Sequence, residues 1–234
     1  MYIIGCFDNN AIINLIKYNS EEKMNLFGLN IHTIIGRAFF ILAIMPIHEY
    51  AHAWMASKMG DETARYSGRM DLNPFSHLDP IGTILILLTG FGWAKPVPIN
   101  PNNFRERKKG IFLTSLAGPM ANVLLALVVM IIYKILIRLG LYSMVAMLLN
   151  VILVIIQTSV YLAVFNLLPI PPLDGWNMLS VFLPSDKYYK VLQYQSQISL
   201  IFFFLIMFTN IITTPLSYLA GFIIMFLDKI TFFI

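Results

Sequence analysis

Apolar residues fall in long runs, separated by one polar tract rich in turn-forming residues. The runs extend from about His32 to Lys58, Ile111 to Arg138, Ser143 to Leu168 and Ile198 to Ile212. Several are long enough for a helix to cross a hydrocarbon core, which takes about 20 residues. A shorter segment, Pro215 to Phe226, either spans or lies at the interface. The pattern predicts an all-α polytopic membrane protein with about four to five transmembrane helices, the first three forming the core.

Residues 61–109 have a different texture. Asn73-Pro74, Asp79-Pro80, Lys95-Pro96, Val97-Pro98 and Asn100-Pro101 all disfavour helix. Within this tract Ile81 to Trp93 is apolar but shorter than a normal span. A true crossing would put Lys95 and the Arg105–Lys109 cluster opposite Arg65 and Arg69, against the tendency of basic loops to stay cytoplasmic. The segment is therefore expected to be re-entrant. Residues 1–23 are apolar in part, but Asp8, Asn9 and Asn10 interrupt them and no small-residue cleavage site follows. They read as an interfacial or disordered lead, with a core over 24–184 and membrane helices over 185–234.

Composition agrees. Of 234 residues, 58% are hydrophobic and 12% charged, against about 25% charged in an ordinary soluble domain. The net charge of +4 could suggest nucleic acid, but eight of the sixteen Lys and Arg residues lie between Lys58 and Lys109, abutting apolar helices. That distribution marks a cytoplasmic loop beside a lipid bilayer, not a nucleic-acid surface. A single cysteine, Cys6, excludes an intrachain disulfide.

The chemistry begins with His48-Glu49-Tyr50-Ala51-His52. Histidines at i and i+4 project from one helical face, separated suitably for two zinc bonds of about 2.0–2.1 Å. Glu49 can then reach the attacking water without ligating the metal, as in zinc peptidases. A buried histidine is often only hydrogen-bonded, but three ionisable groups in five residues of a membrane helix are costly without a metal. A catalytic zinc usually takes three protein ligands. No glutamate follows Glu106, and between Arg107 and Ser185 the acidic residue is Asp174, in Asn166-Leu167-Leu168-Pro169-Ile170-Pro171-Pro172-Leu173-Asp174-Gly175. With the basic loop cytoplasmic, the second helix leaves that face and the third returns, placing Asp174 on the side of His48 and His52. Read alone, the stretch is an ordinary helix terminus and turn.

Asn166, where the third helix meets the prolines, either assists an oxyanion or the substrate backbone, or merely caps the helix. His77 is open to three roles, a second metal ligand, a substrate contact or a loop organiser near Asp79; the last is preferred. Ala117-Gly118-Pro119 and Ala121-Asn122 carry the small residues that let membrane helices approach, here against the metal-bearing helix, with Asn122 bracing backbone near the site.

These motifs resemble the site-2 protease family of intramembrane metalloproteases, in its compact bacterial branch without PDZ or CBS domains. Matching stretches are His48–His52, Asn73-Pro74-Phe75-Ser76-His77-Leu78-Asp79-Pro80-Ile81-Gly82, Gly92-Trp93-Ala94-Lys95-Pro96-Val97-Pro98, Ser115-Leu116-Ala117-Gly118-Pro119-Met120-Ala121-Asn122 and Asn166–Gly175. They occur in the family's order over residues 24 to 180. The resemblance implies one catalytic Zn2+ held by His48, His52 and Asp174, Glu49 as general base, and Asn166 assisting substrate or transition-state binding. It implies membrane-protein substrates cleaved in a transmembrane segment, and a multi-pass protein of the cell membrane with its site near the cytoplasmic face. A prenyl-protein endoprotease would need a downstream glutamate ligand, and none is present. A metal transporter would carry polar residues on several helices, whereas helices two to four are almost bare of carboxylates and histidines. Substrate identity and oligomeric state are not legible.

Overall fold

The computed structural model describes residues 36–89 and 92–233, and every regular element among them is helical. The first apolar run is helical from residue 36, passes through a π-helical turn at Phe40–Ile44 and continues as α1, Met45–Met59. Pro46 has no N–H for the Leu42 carbonyl, and at this junction the ladder shifts, Met45 N–H bonding to Phe40 O. The expected helix start at His32 and the lead over 1–23 lie outside the described residues.

Four short elements follow: α2 (Thr63–Tyr66), α3 (Pro74–His77), α4 (Pro80–Thr89) and a 3-10 turn at Pro101–Asn103. The segment expected to be re-entrant, Ile81 to Trp93, comprises most of α4 and the start of a non-helical stretch over 92–100. The two limbs touch backbone to backbone. A Cβ on Gly82 would collide with the Trp93 carbonyl oxygen, and one on Gly92 with the Gly82 carbonyl oxygen. At the open end Lys95 N–H donates to His77 O at 2.9 Å, so the segment enters and leaves at one level. At its tip Arg37 Nη1 donates to Leu87 O and Leu88 O at 2.7 and 2.9 Å. These carbonyls close a helix end, where intrahelical donors run out.

The long elements are α5 (Arg107–Arg138) and α6 (Tyr142–Asn166). Both are long and apolar enough to cross a membrane, over Arg107–Arg138 and Leu148–Asn166, yet only 17% and 28% of their apolar windows are buried. A soluble core helix would hide most of that surface. On α5, Met120, Leu124, Val128, Ile132 and Ile135 form an exposed apolar stripe at helical spacing. Lipid suits such a face, and the chain is an all-α membrane protein. The helix α5 starts earlier than the Ile111 expected from the apolar pattern, because Arg107, Lys108 and Lys109 form its exposed first turn.

Beyond α6 come α7 (Asp174–Ser180), α8 (Ser185–Gln193), α9 (Gln195–Phe208) and α10 (Thr213–Ile230). The polar α8 was not apparent from apolar runs. The helix α9 stops at Phe208, short of the expected Ile212, where Thr209 turns extended. Conversely α10 outruns the expected Phe226. Asp228, which reads as loop, is held by Lys134 of α5 at 2.8 Å, and the last turn forms around that pair. Since Lys134 and Asp228 both lie near the C-terminal ends of their helices, α5 and α10 run parallel. Between α5, α6 and α10 sits the main core, with Ala126, Met130, Ile156, Val160, Val164, Leu216, Ala220 and Leu227 buried. The helix α5 also packs against α1 and α7, which assembles the site.

Candidate metal centre

Two of the site's side chains are fixed by α1 alone. His48 and His52 stand one turn apart, both buried, with ring planes at 83° and Nε2 atoms 3.0 Å apart. The third arrives by a longer route. The helix α6 ends at Asn166, and Pro169, Pro171 and Pro172 prevent it from resuming. Pro171 O accepts from Ser199 Oγ of α9 at 3.0 Å, and an extended Leu173 then leads into α7. Asp174 opens α7 with Oδ2 3.3 Å from His48 Nε2 and 3.3 Å from His52 Nε2.

The donor set and spacing fit zinc. A tetrahedral ion bonded at about 2.0–2.1 Å separates its ligand atoms by about 3.3 Å, and the three atoms are 3.0–3.3 Å apart. Asp174 Oδ2 is buried and has no hydrogen-bond partner, a cost that a cation at the centre would remove. Burial pushes the Asp174 carboxyl up, but its interactions with His48 and His52 outweigh this and hold it at about 2. It is thus a carboxylate at neutral pH, the form that ligates a metal. Among the described residues, this is the group of three able to hold an ion.

The outward ring nitrogens are also engaged. His52 Nδ1 lies 2.7 Å from Thr114 O, and His48 Nδ1 lies 3.0 Å from Asn122 Nδ2, both partners coming from α5. Such partners set which nitrogen is free to bind metal. Gly118 lets α5 come this close. A Cβ there would collide with His52 Nε2 and lie 2.7 Å from His48 Cε1. Asn122, expected to brace backbone, meets the His48 ring instead. The Thr114 contact uses a backbone carbonyl, which no sequence pattern marks.

Glu49 Oε2 accepts from Val97 N–H at 3.1 Å, joining α1 to the proline-rich stretch over 92–100. That limb is anchored at its far end. The fully buried Asp61 accepts from Thr63 N–H and Oγ1–H, from Asn100 N–H at 2.7 Å and from Asn103 Nδ2 at 2.8 Å. Burial raises the Asp61 carboxyl, and these donors together bring it below the usual range. Arg69 Nη2 adds a bond to Lys95 O at 2.8 Å. Asn166 ends α6 with Nδ2 donating to Leu162 O at 3.1 Å. His77 is fully buried, with Nε2 3.0 Å from Asp71 O, and it is not part of the metal group.

Comparison with known proteins adds the family. No family model matches the chain, and no solved structure matches it. The Bacillus subtilis (strain 168) protein named "Putative zinc metalloprotease YwhC" is 38% identical over 180 residues, covering 76% of this chain and 80% of that one. The Mycolicibacterium smegmatis protein named "Putative zinc metalloprotease Rip2" is 32% identical over 161 residues, covering 62% of this chain and 58% of its own length. The paired imidazoles, the converging carboxylate and this extended similarity make the chain a member of the zinc metalloprotease family to which YwhC belongs.

Proposed function

We propose that the protein is an intramembrane endopeptidase of the site-2 protease type, cleaving peptide bonds in or near the transmembrane segments of other membrane proteins. The observation that carries this reading is the meeting of His48, His52 and Asp174 in a bundle whose helices expose apolar faces. The basic residues around α2 and at the start of α5 support a site near the cytoplasmic face. The carboxylate beside the histidines is an aspartate from beyond α6, unlike the glutamate of the prenyl-protein endoprotease design.

When bound, zinc would act as a Lewis acid toward the scissile carbonyl and the attacking water. His48, His52 and Asp174 would hold it. Glu49, one residue after His48, takes the proton from the attacking water and delivers it to the leaving amine. Its bond to Val97 N–H ties the carboxylate to the stretch over 92–100. Asn166 assists substrate or transition-state binding from the end of α6. A helical substrate must unwind first, because its carbonyls are shielded by hydrogen bonds, and the proline-rich stretches 96–101 and 169–172 supply non-helical backbone for it to dock beside.

The test is Glu49→Gln. Membrane-protein fragments are compared in cells carrying the intact or the variant protein, and zinc content is measured on both purified proteins. The variant is expected to keep zinc and lose the fragments. Fragments that persist with Glu49→Gln defeat the assignment of the base, and an intact protein that releases none defeats the peptidase reading.

A further inference from the structure

We infer that Asn122 is a positioning residue of the metal centre, one that sets the orientation and tautomer of His48 through its carboxamide oxygen. The inference rests on the proposed zinc ligation by His48, His52 and Asp174. Asn122 is fully buried in the middle of α5, just before the apolar run Val123–Ile132, where an unpaired carboxamide atom is costly. One of its atoms is used, Nδ2 lying 3.0 Å from His48 Nδ1, while Oδ1 is buried and has no partner.

That arrangement suits the metal-free ring only. If Nδ2 donates to Nδ1, the ring proton of neutral His48 must sit on Nε2, the nitrogen that faces His52 and Asp174. A protonated Nε2 has no lone pair for a cation. A half-turn of the carboxamide about its last torsion exchanges O and N, atoms of nearly equal size. Oδ1 then accepts from Nδ1–H, which leaves the Nε2 lone pair free for a cation, while Nδ2 takes the buried position that Oδ1 held. His52 is already held this way by the Thr114 carbonyl, a pure acceptor. Asn122 gives His48 the equivalent acceptor from two turns further along the same helix. Metal-bound histidines commonly have such a partner on their other nitrogen.

The experiment uses the full chain in detergent or nanodiscs, with zinc affinity measured by chelator competition and the geometry read from the visible spectrum of the Co2+-loaded protein. Asn122→Leu keeps the branched shape without an acceptor, and Asn122→Asp keeps an acceptor without a donor. Removing such a partner typically costs about 10–100-fold in metal affinity. Asn122→Leu is expected to lose affinity in that range with an altered cobalt spectrum, and Asn122→Asp to stay within a few-fold of wild type. Wild-type affinity and spectrum in Asn122→Leu would overturn the inference. So would a tenfold or greater loss in Asn122→Asp, which also decides the matter if the leucine variant fails to fold. His48→Ala separates the two levels. If it binds zinc like wild type, the ligand assignment itself is wrong; if it loses zinc while Asn122→Leu does not, only the role of Asn122 fails.

Discussion

Replacing Gly118 by alanine tests the packing that builds the centre. The added Cβ would lie 2.7 Å from His48 Cε1 and His52 Cε1, and closer still to His52 Nε2, where ordinary contact begins at 3.4 Å. Each ring must therefore retreat by about 0.7 Å or more, or α5 must move away by a similar amount. Zinc–ligand distances tolerate only about 0.2 Å. The strain thus breaks at least one bond to the ion or draws α5 from α1. Affinity is expected to fall at least about 100-fold, equal to about 3 kcal/mol. Overpacking should also destabilise the metal-free fold by about 1–3 kcal/mol. The assay pairs chelator competition with unfolding of the metal-free protein, and Leu124→Ala on the exposed side of α5 serves as control. A Gly118→Ala protein whose zinc affinity stays within threefold of wild type would refute the reasoning.

Three other outcomes follow from the contacts described. Removing either partner of the partly buried Lys134–Asp228 pair should cost about 1.5–3 kcal/mol, whereas the double replacement by apolar residues should recover most of it, as read from unfolding in mixed micelles. Asp61→Asn should loosen the 95–103 segment and lower stability by about 1.5–3 kcal/mol at pH 7. Because the donors around Asp61 hold its folded carboxyl below the usual carboxylate range, its contribution is complete above that range and is lost as pH falls through the depressed folded value. The acid dependence of unfolding should therefore be shallower in the variant, and an unchanged slope would remove Asp61 from the account. Arg37→Leu leaves the Leu87 and Leu88 carbonyls without their donor, and a cysteine placed at Trp93 should then label faster with a soluble thiol reagent.

How much of this was legible in the sequence depended on how local each cause was. Helical periodicity placed His48 and His52 on one face of α1, because a 3.6-residue turn dictates where i and i+4 point. Long apolar runs located α5 and α6, and the scarcity of acidic residues after Glu106 singled out Asp174 as the candidate third ligand. Length and charge together led to the expectation that residues 81–93 double back, and in the structure Gly82 and Trp93 meet backbone to backbone. Element ends were less visible wherever a distant partner set them, as with Asp228, whose polar side chain hides the last turn of α10 until Lys134 is seen opposite.

What the chain pattern settled on its own was the solvent, the helical class and the residue types able to hold a metal. Tertiary structure decided the distances and the supporting partners. The 3.3 Å approach of Asp174 depends on seven residues leaving α6 and on Ser199 of α9 holding Pro171. The fit of α5 against the two imidazoles depends on a missing Cβ at Gly118. The partners of the imidazoles, a backbone carbonyl at Thr114 and a carboxamide at Asn122, lie on α5, more than sixty residues beyond the rings they touch. Periodicity reports which face a side chain occupies along its own helix, and nothing local encodes which atom of another helix will stand opposite it.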